Sequence, residues 1–148
     1  MKRFLHNVAE RLKSMRDGRH STVYELSWDQ SGVDVRWLTL ENETGSVSFP
    51  WSDVSTVDTF KRDYFTVDCI CLAFETPDGW IEVNEDMKGW GAFLDAVEVR
   101  LPGFPPQEKW WRKVMLPAFE TNQATLWTRG EQNKRVEDIV ANAPTPHP

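Results

Sequence analysis

The chain is short of the residues from which most catalytic and metal sites are built. It has two cysteines, Cys69 and Cys71, and three histidines, His6, His20 and His147, all of the latter in terminal segments. A zinc site takes about four sulfur, nitrogen or carboxylate ligands, and no such spacing occurs. A nucleophile beside a histidine and a carboxylate cannot be assembled either, so no catalytic residue is predicted. Two cysteines give no disulfide framework, which agrees with a reducing compartment. On a strand Cys69 and Cys71 would stand about 6.6 Å apart with parallel side chains, which argues against a bond between them. Glycine-rich phosphate loops and dinucleotide fingerprints are absent, and no cofactor or metal is predicted. Long apolar runs are absent too: the longest, Cys69 to Phe74, falls far short of the about 18 to 20 residues of a membrane-spanning helix. The opening MKRFLHNVAERLKSM is interrupted by Asn7, Glu10, Arg11 and Lys13, so it lacks the apolar core of a signal peptide, and the expected location is cytoplasmic.

Positive charge is scarce outside the first residues. Residues 1–20 hold six basic and two acidic side chains, a net +4, which leaves −10 for the rest of a chain of net charge −6. An acidic body argues against nucleic acid, whose phosphates need a basic face.

What is present is a core-forming pattern. The 148 residues are 40% hydrophobic and 12% aromatic, enough for one domain with a real interior. Phe4, Leu5, Val8, Leu12 and Met15 recur at helical spacing, so residues 2–16 read as an amphipathic helix with a basic opposite face, ended by Asp17-Gly18; its apolar stripe reads first as packing on the rest of the domain and second as a membrane-surface or acidic-partner contact. From Thr22 the period becomes two. Thr22–Trp28 and Val33–Leu40 form a hairpin about the turn Asp29–Gly32. Asn42–Gly45 is a second turn, followed by a strand Ser46–Phe49. Pro50–Asp53 interrupts. Val54–Phe60 resumes with Val57 inward and Phe60 a further inward candidate, and Lys61-Arg62-Asp63 reads as a bend. Phe65–Glu75 and Trp80–Asn84 form another hairpin about Pro77-Asp78-Gly79, a tight-turn sequence.

Asn84 then reads as a helix cap with Glu85 and Asp86 in the first turn. Trp90, Phe93, Leu94, Val97 and Leu101 supply a buried stripe, and Gly91 reads as a point of close approach to a neighbouring strand. Gln107–Met115 reads as a short helix, Ala118–Arg129 as an extended arm or late strand, and Lys134–Ala141 as a modest helical candidate. The resulting organisation is an N-terminal helix (1–20), a β domain with a capping helix (21–103), an aromatic extension packed on it (104–129) and a polar tail (130–148).

Two features invite a site. Asp78, Glu82, Glu85 and Asp86 follow the cysteines closely and could bind a hard cation, but each has a structural role in a turn, a strand or a helix start. The cysteines alternate with Ile70, Leu72 and Phe74 on a strand apolar on both faces, which reads as a central strand with buried thiols. The informative excess is tryptophan: eight indoles in a core of this size cannot all be buried. The adjacent Trp110 and Trp111 cannot both point inward from one helix. They are the first candidate contact residues, with Trp80 and Glu82 second; the alternative for the pair is that they clamp the C-terminal arm on the domain.

This order resembles the pleckstrin-homology and GRAM-like superfold: α+β, mainly an antiparallel β-sandwich or partly open barrel capped by a C-terminal helix. The resemblance covers about Ser21 to Pro102 and rests on Phe49-Pro50-Trp51-Ser52-Asp53-Val54, on Cys71-Leu72-Ala73-Phe74 with Asp78-Gly79-Trp80-Ile81-Glu82-Val83, and on the helix from Met87 to Leu101. With Leu101-Pro102-Gly103-Phe104-Pro105, the wider chain is similar to small uncharacterised bacterial proteins. The resemblance implies a binding module and little more about chemistry. Members that hold inositol lipids line the first strand–strand loop with lysine and arginine. Here that loop is Asp29-Gln30-Ser31-Gly32, which argues against such a ligand.

The expectation is a non-enzymatic, cytoplasmic protein-binding module of regulatory or immunity type. Its acidic body suits a basic protein partner, and self-association is left open. The alternative is a peripheral membrane adaptor that inserts Phe4, Leu5, Val8 and Leu12 while Lys2, Arg3, Arg11 and Lys13 contact headgroups.

Overall fold

Alternation builds the first sheet. In β1 (Val23–Trp28) and β2 (Gly32–Leu38), Tyr24, Leu26, Val33 and Val35 are buried while Val23, Glu25, Arg36 and Leu38 face solvent. β3 (Thr44–Pro50) adds Val47 and Phe49 to the buried side. The three strands pair antiparallel in the order β1-β2-β3. The computed structural model describes residues 22–63, 68–116 and 122–130. The expected helix at 2–16, the candidate at 134–141 and the polar tail from 131 lie outside these.

A single 3₁₀ turn, Trp51–Asp53, leads to the second sheet. Here β4 (Thr56–Asp63), β5 (Asp68–Thr76), β6 (Gly79–Asn84) and β7 (Ala124–Thr128) are antiparallel in the order β6-β5-β4-β7. β5 is central and buried on both faces, with Cys69, Cys71 and Ala73 on one and Ile70, Leu72 and Phe74 on the other. The late strand arrives by way of α1 (Trp90–Arg100) and α2 (Gln107–Met115) and pairs along β4. The described chain is thus α+β, with two antiparallel sheets, two α-helices and no closed barrel.

The sheets share one core. Phe93 of α1 lies 5.5 Å from Trp28, 6.2 Å from Trp51 and 5.9 Å from Phe74 between ring centroids, and Phe74 lies 5.3 Å from Phe49. One ring thereby touches the first sheet, the 3₁₀ turn and the second sheet, and Phe93 is 0% exposed. A backbone splice adds to this: Lys88 N–H donates to Tyr24 O at 3.0 Å, and Leu26 N–H donates to Lys88 O at 2.9 Å. The segment leaving the second sheet therefore runs parallel to the free edge of β1 and pairs with it at one point.

Four expectations change. Asn84 does not cap a helix: its Oδ1 accepts from Asp86 N–H at 3.0 Å in a local turn, and α1 begins only at Trp90 with Gly89 before it. The intervening residues are used by the splice. Lys61-Arg62-Asp63 is not a bend but the continuation of β4, paired to Ile70, Cys69 and Asp68. Phe60 lies on the face opposite Val57, as a period of two requires, so Thr59 and Lys61 go inward. Lys61 is tolerated there because its Nζ meets Asp68 at 3.1 Å and donates to Met115 O at 2.7 Å. Gly91 approaches nothing; the close approach belongs to Gly89, whose φ is +94° and where a Cβ would stand 3.1 Å from Leu26 O.

The splice therefore needs glycine at 89 and not at 91. Gly89→Ala is expected to cost about 1–3 kcal/mol through left-handed strain. Gly91→Ala is expected to be neutral or to stabilise by up to about 1 kcal/mol through helix propensity. Denaturant unfolding of both variants checks this; equal effects would remove the splice from its central place.

Candidate functional site

The tryptophans divide by what their indole N–H finds. Trp51 is buried and donates from Nε1 to Asp29 O at 2.9 Å; Trp127 is buried and donates to Pro102 O at 2.9 Å. Trp28, Trp37, Trp80 and Trp90 are half-buried. Of the adjacent pair, Trp110 faces the core at 4% exposure and Trp111 faces out at 37%. Trp110 Nε1 has no hydrogen-bond partner among the described residues. The helix geometry separates the pair as expected, and it removes Trp110 from any contact surface.

Trp80 and Glu82 lie on the outer face of the second sheet. Glu82 is already engaged: Arg62 donates from Nε and Nη2 to its two carboxylate oxygens at 2.6 and 2.7 Å, across β5 from β4 to β6. This fork leaves Glu82 little capacity for a basic partner. Beneath it lie the thiols. The neighbouring Cys69 thiol, and then burial, push the Cys71 thiol well above its ordinary range. A thiol held protonated is a poor nucleophile and a poor metal ligand.

The remaining carboxylates are used locally. Glu85 Oε1 accepts from Ile70 N–H at 3.0 Å, and Asp86 Oδ2 lies 3.5 Å from Cys69 Sγ. Partial burial, aided by the Asp86 charge, raises the Glu85 carboxyl against the opposing effect of the Ile70 amide. No group of three or more His, Cys, Asp and Glu placed to hold a metal occurs among the described residues. No described helix is long and apolar enough to cross a membrane.

The surface that stands out is the outer face of β1-β2-β3. Register stacks it in rows: Val23 opposite Leu38, then Glu25, Arg36 and Ser46, then Ser27, Asp34 and Ser48. Asp34 holds the polar end together. Arg36 Nε donates to its Oδ2 at 2.6 Å and Ser48 Oγ to its Oδ1 at 2.8 Å, and the Arg36 bond holds the carboxyl below its ordinary value. At the other end, Val23 is 57% and Leu38 46% exposed. Leu40 is exposed at the tip of the next loop, which is closed by Thr39 N–H to Glu43 O at 2.9 Å. Two hollows of about 510 and 430 Å³ lie along the rows and share Arg36.

This face is acidic. Glu25, Asp34, the turn residue Asp29 and the loop residues Glu41 and Glu43 stand against Arg36 and Lys88, the latter 3.8 Å from Glu25. Asp29 is held ionised by the Ser31 and Gly32 amides at 2.7 and 3.0 Å, which lower its pKa. The turn Asp29–Gly32 thus presents a carboxylate. Sequence reasoning passed over this face, although one signal was present: Val23 and Leu38 are apolar at positions whose alternation partners, Glu25, Ser27, Asp34 and Arg36, are polar.

The membrane-contact candidates Phe4, Leu5, Val8, Leu12, Lys2, Arg3, Arg11 and Lys13 lie outside the described residues. No family model, curated protein or solved structure matches the chain.

Two outcomes follow. Trp110→Ala is expected to cost about 3–5 kcal/mol as a buried truncation, and Trp111→Ala to stay within about 0.5 kcal/mol; equal losses would mean that both indoles are core. Because folding raises the Glu85 pKa, the folded state holds that proton more tightly than the unfolded chain, and ionised Glu85 costs stability at neutral pH. Glu85→Gln keeps an acceptor for Ile70 N–H and removes the charge. Its melting temperature should exceed wild type at pH 7.5, with the gap closing as the pH falls through the Glu85 range. A pH-independent gap would contradict this.

Proposed function

We propose that this chain is a non-enzymatic protein-recognition module of pleckstrin-homology-like architecture. The outer face of β1-β2-β3 is its contact surface, and its partner is an apolar segment flanked by lysine or arginine. The observation that carries this is the uncovered apolar end of the face, Val23 beside Leu38, within an acidic surround. Apolar side chains grouped on an otherwise polar sheet face are usual at interaction surfaces, and complementary charge would steer a basic partner to them. The architectural reading is supported by a three-stranded and a four-stranded antiparallel sheet facing one core, with α1 seated on their aromatic side chains. β7, added after the helices, extends the second sheet beyond the resembling region.

The reading replaces Trp110 with Val23 and Leu38 as contact residues and keeps Trp111 as a secondary contact. It retains the expectation of a cytoplasmic protein of regulatory or immunity type. Used as bait in lysate from its own source, wild type should capture a protein that a Val23→Ser/Leu38→Lys variant does not, at unchanged melting temperature. Equal capture by both, or capture lost only with Trp111→Ala, would move the surface elsewhere.

A further inference from the structure

One edge of the first sheet is left open among the described residues, and what borders it selects an occupant. Just past the end of β3, Trp51 N–H donates to Ser31 O at 3.1 Å; just before its start, Thr39 N–H donates to Glu43 O at 2.9 Å. Alternation along the register between these points gives Val47 and Phe49 the ladder bonds to Val35 and Val33. The amide and carbonyl of Ser46 and Ser48 therefore turn to the other side. No described strand takes them, because β3 is last in the order β1-β2-β3. Such an edge is a template for a further strand.

Beside it, between β3 and the turn that joins β5 to β6, lies a hollow of about 270 Å³. Its apolar part is made by the buried Val47, Phe49 and Ile81, and its charged part by the exposed Asp53 and Asp78. Neither carboxylate forms an ion pair among the described residues, and no basic side chain lines the hollow. It is smaller than the about 300–1,000 Å³ usual for a drug-sized ligand, and it suits one long side chain. We infer that the β3 edge docks an extended partner segment that carries a lysine or arginine: the segment continues the sheet along Ser46 and Ser48 and sets its cationic side chain toward Asp53 and Asp78. Main-chain pairing supplies affinity in this mode, and the pocket supplies selectivity. A second copy of the chain is a poorer match, since residues 21–148 are net acidic. The edge is a second contact, and it does not rest on the reading of the outer face.

The test uses the full chain and the acetylated, amidated heptapeptide TVTKTVT, followed through the Ser46 and Ser48 amide resonances. Both should shift on titration into the millimolar range. Binding should be at least tenfold weaker for the peptide TVTETVT, and for TVTKTVT with the Asp53→Asn/Asp78→Asn variant. N-methylation of TVTKTVT at successive amides should abolish binding at alternate positions only, the period of a ladder. Ser48→Pro removes one edge N–H, which an edge strand tolerates, and should weaken binding at least tenfold. Ser48→Ala loses the hydroxyl bond to Asp34 but keeps the amide, and should bind as wild type. The Val23→Ser/Leu38→Lys variant should also bind as wild type; loss of binding there would place the peptide on the outer face and overturn the inference while leaving that face standing. Equal loss with Ser48→Ala and Ser48→Pro, or N-methylation tolerated at every position, would overturn the strand pairing, and the N-methyl series decides alone if Ser48→Pro does not fold. Equal binding of the two peptides would overturn the cationic occupant, and no shift with either would overturn the site. Shifts of the same amides with protein concentration alone would assign the edge to a second copy, which overturns it too.

Discussion

Two sheets with no common hydrogen-bond ladder must be held face to face, and the ring of Phe93 is where this is done. It contacts Trp28, Trp51 and Phe74, and through Phe74 it reaches Phe49. Aromatic pairs of this kind contribute about 0.5–1.5 kcal/mol each beyond the area they bury. The direction of α1 follows from the need to deliver that ring. The five residues between Asn84 and Trp90 are consequently not helical: they bring the chain across to β1, and Lys88 spends its backbone groups on Tyr24 and Leu26. Gly89, at φ +94°, is the residue at which this crossing becomes a helix.

The C-terminal elements tighten the same join from the opposite side. Trp127 of β7 ties to Pro102 just past α1. Arg129 donates from Nε to Val54 O and from Nη2 to Trp51 O, each at 2.8 Å, and its guanidinium sits 5.0 Å from the Trp127 ring. Two carbonyls at the sheet-to-sheet connection thereby gain a charged donor, Trp51 O in addition to the Val54 N–H it accepts within the 3₁₀ turn. Lys61 performs a similar service at the end of α2, where its Nζ donates a hydrogen bond to Met115 O. The late strand thus closes the connection between the sheets as well as adding an edge. Much of the tryptophan excess has its explanation here, in indoles that fasten chain segments.

The strands were legible because their period of two survives in the burial pattern: Tyr24/Leu26, Val33/Val35 and Val47/Phe49 are the buried alternates, and β5 is apolar on both faces as read. What was not legible depended on contacts distant in sequence. Asn84, Glu85 and Asp86 have the composition of a helix start, and only the edge of β1, some sixty residues earlier, makes an extended crossing preferable there. Lys61-Arg62-Asp63 has the composition of a bend, and only Asp68 and Met115 O make a buried lysine tolerable. Trp110 and Trp111 could be divided into one inward and one outward residue by helix geometry, but not assigned, because the assignment depends on which side of α2 meets β4 and β5. The candidate surface was overlooked for a related reason: Val23 and Leu38 lie fifteen residues apart in the chain and become one patch only through the hairpin register.

That patch is also what sets the two sheets apart. On the outer face of the second sheet, small side chains in the central strand let Arg62 and Glu82 pair across them, and the thiols are buried. On the first sheet the central strand is β2, whose outward side chains are Asp34, Arg36 and Leu38, and no such pairing is available at the leucine. Asp34, Arg36 and Ser48 satisfy one another, so the polar end is complete in water. Val23 and Leu38 are not. Burying a pair of side chains of this size removes about 1.5–3 kcal/mol each of unfavourable hydration when fully achieved, and folding of the described residues leaves much of that gain unrealised. A partner segment that covers them would gain what the sheet alone does not, and the carboxylates around them select for a segment bearing positive charge.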